Sequence, residues 1–249
     1  MPRIFLSPEC RLEGDEVLVT GAEAAHLARV LRLRPGAEID ALDGEGRAWR
    51  ARILAADKEG VRARVTGARA AAPEPPVRLA LVQGLARGEK MDLIIQKAVE
   101  IGVARIIPAD CARTVIRLDD ERGRRRRKRW QKIAVEAAEQ CGRGAVPVVE
   151  PPQALGDALS LLRPGVTAFL LWEGERATGL KDILDSVPCT KDVFVFVGPE
   201  GGFTGDEVEA CTAAGARPVS LGPRILRTET AGLVAAALVL YAWGDLGRI

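Results

Sequence analysis

Continuous apolar runs at residues 146–149, 168–172 and 193–197 constrain this chain more than any other feature. A strand with one wet face alternates apolar and polar residues, whereas a strand buried on both faces does not. Runs of this kind belong to a parallel sheet covered by helices on both sides. Residues 77–83, 105–108 and 218–221 read as further strands. Helical patterns lie between them. Met91, Ile94, Ile95 and Ala98 recur at helical spacing in Lys90–Ile101, and Trp130, Ile133, Ala134, Ala137 and Cys141 do so over residues 125–141. Thr204-Gly205-Asp206-Glu207 is a capping box, in which hydroxyl and carboxylate satisfy free amides of a first helical turn. A last helix over residues 229–243 is apolar nearly all round, so it is expected to be buried on more than one side, in part against another subunit. The expected class is α/β with a parallel sheet.

Pro73-Glu74-Pro75-Pro76 marks a linker, because proline stiffens the chain and cannot serve a strand ladder. Before it the pattern is short and β-like, at residues 3–6, Glu16–Val19, Glu38–Leu42, residues 48–54 and residues 61–66. Asp43-Gly44 and Glu59-Gly60 read as turns. One helix, residues 22–33, interrupts them with Leu27, Val30 and Leu31 at helical spacing. Residues 1–72 are therefore expected to form a small β-barrel domain, residues 73–76 a linker, and residues 77–249 the α/β domain.

Composition removes several function classes. The apolar stretch 231–243 counts 13 residues, and a membrane span needs about 20. No signal peptide is expected at the N-terminus. Five cysteines are scattered without a C-x-x-C pair, which suits reduced thiols in the cytoplasm. With one histidine, His26, no metal site is expected. Residues 77–145 carry 16 basic against 9 acidic side chains, net +7, on a chain of net charge +2. A basic middle suits a local anionic partner.

Three segments stand at the carboxyl ends of expected strands. Gly198-Pro199-Glu200-Gly201-Gly202-Phe203 comes after the run at 193–197. In an open α/β sheet, ligands bind where strands end, and glycine lets backbone amides approach closely. The phosphate-binding patterns G-x-G-x-x-G and G-x-x-x-x-G-K-[ST] are absent, which disfavours a nucleotide-binding enzyme. Residues 220–231 hold Leu221, Gly222, Arg224, Ile225, Leu226, Arg227, Thr228, Glu229, Thr230 and Ala231. Thr228 or Thr230 is expected to cap the last helix. Arg224 and Arg227 oppose the dipole at that helix start, which points to an anionic ligand. The third segment is Leu171-Trp172-Glu173.

These segments, with Pro2-Arg3-Ile4-Phe5, His26 ahead of Val30-Leu31-Arg32, Lys97-Ala98-Val99-Glu100-Ile101-Gly102 and Glu136-Ala137-Ala138-Glu139-Gln140-Cys141-Gly142-Arg143, make the chain resemble the small-subunit (16S) ribosomal RNA uridine-N3 methyltransferases, the RsmE type. The resemblance runs from about residue 2 to residue 245. It implies a SPOUT-type parallel sheet with a C-terminal trefoil knot, an N-terminal PUA-like barrel that helps grip RNA, and a homodimer. It implies S-adenosyl-L-methionine as cofactor, with small-subunit ribosomal RNA or the small ribosomal subunit as partner. The cofactor pocket it implies comprises Leu171, Trp172, Glu173, the turn Gly198, Pro199, Glu200, Gly201 and Gly202, and then Leu221, Gly222, Ile225, Leu226, Arg227, Thr228, Thr230 and Ala231.

Uridine N3 must lose its proton before attacking a methyl group, which requires two catalytic roles. Arg227 or Arg224 is expected to stabilise the uridine anion, and Glu200 or Glu229 to take the proton. For RNA, His26, Arg29 and Arg32 sit at the spacing of one helix face. Arg124, Arg125, Arg126 and Arg127 lie in the densest basic run, with Arg122, Lys128, Arg129 and Lys132. At a helix start such a run is unfavourable unless it meets phosphate, although Asp119, Asp120 and Glu121 partly offset it. Gln140 and Arg143 are placed to reach RNA or the cofactor loop. A knotted methyltransferase of transfer RNA and a non-catalytic RNA-binding assembly protein remain as alternatives, and cofactor binding separates the second from an enzyme.

Overall fold

The computed structural model describes residues 1–7, 10–57, 60–116 and 120–248. Two compact units divide the chain. The first is Met1–Glu74 with Ala138–Val146, and the second is Pro75–Ala137 with Pro147–Ile249.

The first unit holds one six-stranded sheet. Its strands are β1 (Arg3–Phe5), β2 (Arg11–Glu13), β3 (Glu16–Val19), β4 (Glu38–Leu42), β5 (Arg47–Ala56) and β6 (Val61–Ala70), in the order β1-β4-β5-β6-β3-β2. β1 pairs parallel with β4, and the other pairings are antiparallel. Ile4, Val17, Val19, Leu27, Ile39, Ile53 and Val61 make its core. Two register shifts in the β5–β6 ladder, at Arg50/Ala51 and Ile53/Ala55, are irregularities of the kind that bend a strand. The end strands β1 and β2 do not pair with each other among the described residues. β5 and β6 outrun the expected strands because backbone pairing continues where the side chains of β6 are exposed and no alternation remains to be read. Glu59, of the expected Glu59-Gly60 turn, lies outside the described residues.

The expected helix at 22–33 is shorter and of two kinds. α1 (Gly21–Ala25) passes into a π-helical turn over His26–Val30. The amide of Leu31 donates to His26 O at 2.9 Å, five residues back. The segment ends at Arg32, whose φ of 51° is left-handed. Leu27 is fully buried and anchors it.

The second unit is a parallel sheet between helices. Its strands are β7 (Arg78–Gly84), β8 (Arg105–Asp110), β9 (Val148–Val149), β10 (Gln153–Ala154), β11 (Thr167–Leu171), β12 (Asp192–Val197) and β13 (Arg217–Val219). The order is β10-β8-β7-β12-β11-β13, with β9 also on β8. Every residue of β11 is buried, as are the last five of β12 and the last six of β7. Continuous apolar runs thus mark the doubly covered strands β11 and β12, but not the run at 146–149, where only Val148–Val149 is strand and Val148 is exposed. The helices are α2 (Lys90–Ile101), α3 (Asp120–Cys141, of which Ala138–Cys141 belong to the first unit), α4 (Leu155–Leu159), α5 (Leu180–Ser186), α6 (Gly205–Ala213) and α7 (Thr228–Trp243). α2 buries Met91, Ile94, Ile95, Ala98 and Val99. α3 buries Trp130, Ala134 and Ala137, but Cys141, expected inward, is exposed.

α7 packs on α2, α5, β12 and β7. It approaches the sheet at Gly232, where a Cβ would stand 3.1 Å from Leu81 Cδ1, 3.2 Å from Val197 Cγ2 and 3.3 Å from Gln83 Oε1. β13 lies at the sheet edge beyond β11. The chain therefore has to run back across the strand ends, through residues 220–227, to reach its helix over β12 and β7.

Candidate functional site

Strand register creates the site. Leu171 is level with Val197 and with Val219, and Val197 is level with Gln83. The loops after β11, β12 and β13 consequently leave the sheet side by side. A cavity of about 520 Å³ opens between them.

The loop after β12 forms the tight turn. Gly202 N donates to Pro199 O at 2.9 Å, and Gly202 has φ 69°. That conformation favours glycine, and a Cβ there would also come within 2.6 Å of a Glu173 carboxylate oxygen. The Arg113 guanidinium donates to Gly201 O at 2.8 Å from the loop after β8. Beyond the turn the capping box is made: Glu207 N donates to Thr204 Oγ1 at 3.2 Å, and Thr204 N donates to Glu207 Oε2 at 2.8 Å.

The loop after β13 closes on this turn through a buried clamp. Thr228 Oγ1 donates to Gly198 O at 2.6 Å and accepts from Gln83 Nε2 at 2.8 Å. Gln83 is fully buried at the end of β7. Neither threonine caps α7 through its side chain. The N-cap position is Arg227, and Thr228 is the first helical residue with its hydroxyl turned into the clamp. Thr230, two positions on, is exposed and does not line the cavity. The other expected cofactor residues do line it: Leu171, Trp172 and Glu173; Gly198, Pro199, Glu200, Gly201 and Gly202; Leu221, Gly222, Ile225, Leu226, Arg227, Thr228 and Ala231. Arg224 and Glu229, expected in catalysis, line it as well.

Charge in the cavity is organised by a residue that the sequence pattern did not single out. Lys90 Nζ lies 3.1 Å from Glu200 Oε1 and 3.2 Å from Glu229 Oε2. Its ammonium is held above the ordinary lysine range, first by the hydrogen bond to Glu200 against the opposing effect of burial, then by Glu229. Burial pushes the Glu200 carboxyl up, but the Arg87 amide, donating at 3.0 Å, and Lys90 outweigh it and hold the group below the ordinary carboxylate range. Lys90 opens α2, where a cation opposes the helix dipole. The signal that singled out Arg224 and Arg227 therefore applied to Lys90 too. Arg176, on the loop after β11, is a second lining residue without a mark in the sequence pattern.

The basic run forms the first turns of α3. Arg125 donates to Glu121 at 2.5 Å, Arg127 to Val149 O at 3.1 Å, and Arg129 pairs with Asp92. The side chains of Arg124, Arg126 and Lys128 have no hydrogen bond or ion pair among the described residues. Asp119, expected to offset the run, lies outside the described residues.

In the first unit, His26, Arg29 and Arg32 are exposed, but the π turn separates them. Gln140 is exposed. Arg143 is a correction: it is buried, donates to Glu74 Oε1 at 3.2 Å, and pairs with Glu74 Oε2 as well, so its guanidinium is spent on the protein rather than offered to RNA.

No helix is long and apolar enough to cross a membrane, and no group of metal-binding side chains occurs, both among the described residues. Residues 73–240 match the RNA methyltransferase domain and residues 19–66 the RNA methyltransferase PUA domain. The chain is 34% identical to Ribosomal RNA small subunit methyltransferase E of Bacillus subtilis (strain 168), over 92% of this chain and 91% of the relative. It is 35% identical to the protein of the same name from Mycobacterium bovis, over 91% and 86%. A crystal structure of Ribosomal RNA small subunit methyltransferase E from Neisseria gonorrhoeae bound to S-adenosyl methionine superposes with a TM-score of 0.88 at 37% identity, covering 98% of this chain and 99% of that one.

Proposed function

The chain belongs to the RNA methyltransferase family with a PUA domain, and from that premise we propose that it methylates N3 of a uridine in small-subunit (16S) ribosomal RNA with S-adenosyl-L-methionine. The observation that carries the proposal is the cavity between three level strand ends, on a chain that superposes along nearly its whole length on a relative bound to that cofactor. The residues fit the group. The cavity volume lies in the range of about 300–1,000 Å³ usual for small-molecule sites. Leu171, Leu221 and Leu226 supply apolar wall, and the backbone of residues 198–202 and 221–226 supplies amides and carbonyls for a purine edge.

When bound, S-adenosyl-L-methionine supplies an electrophilic methyl group on a sulfonium. The protein's own work is to align the base, exclude water and manage one proton. An anion meeting a cation loses charge towards the transition state, so alignment and dryness contribute most. Arg227 or Arg224, both without an ion pair among the described residues, stabilises the oxygen of the deprotonated uracil. Of the two carboxylates, Glu200 is held by Lys90 and by the Arg87 amide, and Glu229 by Lys90. Glu229 is therefore the proton acceptor in this scheme, and Glu200 anchors Lys90. Arg124, Arg126 and Lys128 of α3 contact phosphates, and the PUA-like unit grips RNA through its exposed cations.

The SPOUT-type trefoil knot is part of the same reading, supported by the segment that returns from edge strand β13 across the strand ends. So is a homodimer, supported by Leu238 and Tyr241, 43% and 68% exposed on the otherwise apolar α7. A cytoplasmic location accords with the ribosomal substrate. The deciding experiment incubates the protein with methyl-labelled cofactor and small subunits lacking the modification, then maps the labelled nucleotide. Label at N3 of one uridine supports the reading, and absence of transfer to any uridine overturns it.

A further inference from the structure

Four cations and three carboxylates line the cavity: Lys90, Arg176, Arg224 and Arg227 against Glu173, Glu200 and Glu229. Lys90 takes up two of the carboxylates. The three arginines are exposed, and their guanidinium groups have no hydrogen bond or ion pair among the described residues. This surplus does not suit the cofactor alone. A sulfonium amino acid carries two positive groups and one carboxylate, so a cationic rim repels it overall. The surplus suits a second, polyanionic ligand that enters beside it.

Arg176 is presented by a turn built for the purpose. Glu175 N donates to Trp172 O at 3.1 Å, and Glu175 Oε1 accepts from the amides of Ala177 and Thr178 at 2.7 and 2.9 Å. Leu180 N donates to Ser220 O at 2.9 Å, which ties the same loop to the end of β13. The Glu175 carboxylate is thus occupied by the backbone amides that follow Arg176 and leaves the guanidinium unneutralised at the lip. The loop is pinned and its cation is not.

Resting on the methyltransferase reading above, the geometry points to Arg176 as a substrate-positioning residue that binds a backbone phosphate next to the target uridine at the rim of the cofactor cavity. A guanidinium suits this task because its fork matches two phosphate oxygens. It leaves Arg224 and Arg227, on the opposite loop, for the base itself.

The test compares wild type, Arg176→Ala and Arg176→Lys, with Lys181→Ala as a control on the neighbouring helix. Three quantities are measured: S-adenosylmethionine affinity by calorimetry, binding of a single-stranded uridine-containing RNA across a salt series, and methylation of unmodified small subunits. For Arg176→Ala the salt slope of RNA binding should become shallower by about one. Its KM for subunits should rise about tenfold, with kcat and cofactor affinity unchanged. Arg176→Lys should keep the wild-type slope, since the charge remains. An unchanged slope in Arg176→Ala, or a loss of cofactor affinity matching the loss of RNA affinity, overturns the assignment. Wild-type protein that binds RNA with the expected slope but methylates no uridine overturns the methyltransferase reading and leaves the phosphate contact standing.

Discussion

The hydroxyl of Thr228 donates to the carbonyl oxygen of Gly198 at 2.6 Å, joining the first residue of α7 to the turn after β12 across 30 positions of sequence. Gln83 donates to the same hydroxyl from the end of β7. Two of the cavity's three loops are thereby held in one geometry.

Thr228→Val removes both bonds, leaves the buried Gly198 carbonyl without this donor, and leaves Gln83 Nε2 only its bond to Gly84 O. The expected cost is about 1–3 kcal/mol, or about 2–4 °C in Tm per kcal/mol for a chain of this size. Thr228→Ser keeps the hydroxyl and should keep most of the stability. Differential scanning calorimetry of the two variants checks this, and equal melting temperatures would show that the clamp contributes no stability.

Gly232 is the place where α7 meets the sheet. The isopropyl group of Gly232→Val has no room beside Leu81 and Val197. Overpacking of this kind costs about 1–3 kcal/mol, and the better helix propensity of valine offsets only a few tenths of it. Chemical denaturation should show a lower midpoint at unchanged slope.

The Lys90–Glu200 pair makes stability depend on pH. Glu200 has a carboxyl held below its ordinary value of 4.5 in the folded chain. A depressed folded pKa contributes stability above the unfolded value, and that contribution is lost as pH falls through the folded one. Wild type should therefore lose more stability than Lys90→Met on acidification below about pH 4.5. Melting curves taken from neutral pH downward measure it, and parallel curves for the two proteins would contradict it.

Burial separates the five thiols. It pushes Cys111 up to about 12 and Cys211 up to about 11, in both cases with further help from nearby Glu207. Both are protonated at neutral pH, and the thiolate is the reactive form. Iodoacetamide at neutral pH should label exposed Cys141 and Cys189 first and spare Cys111 and Cys211. Mass spectrometry of the modified peptides reads the order.

On α3, Arg124 and Lys128 stand one helical turn apart with no partner among the described residues, whereas Arg125 and Arg129 are paired. Arg124→Ala with Lys128→Ala should lower the salt slope of RNA binding by about two. Arg125→Ala, which releases Glu121, should change it less. Filter binding across a salt series gives both slopes.

Much of the frame could be read from residue order, because its signals are local. β7, β11 and β12 show as unbroken apolar runs since both their faces are covered, and α2 shows as a stripe of Met91, Ile94, Ile95 and Ala98. The turn at Gly198–Gly202 and the capping box at Thr204 and Glu207 are short-range chemistry that any chain would carry in its sequence. The π turn at His26–Val30 escaped because apolar spacing does not report which carbonyl an amide chooses. β2, three residues long, offers too little alternation to be seen.

Sequence alone determined most of the strands, helices and ligand-ready turns, β2 and the π turn excepted, and it placed nearly all the cavity residues in those turns. Only the tertiary structure decided how they combine. The level register of Leu171, Val197 and Val219 brings three distant loops to one opening. It gave the Thr228 hydroxyl to Gly198 instead of to a helix cap, spent Arg143 on Glu74, and set Lys90 between Glu200 and Glu229. The reason is that hydrogen bonds and ion pairs act over about 3 Å, so a polar side chain's role belongs to whatever the fold brings within that reach, however far away it lies along the chain.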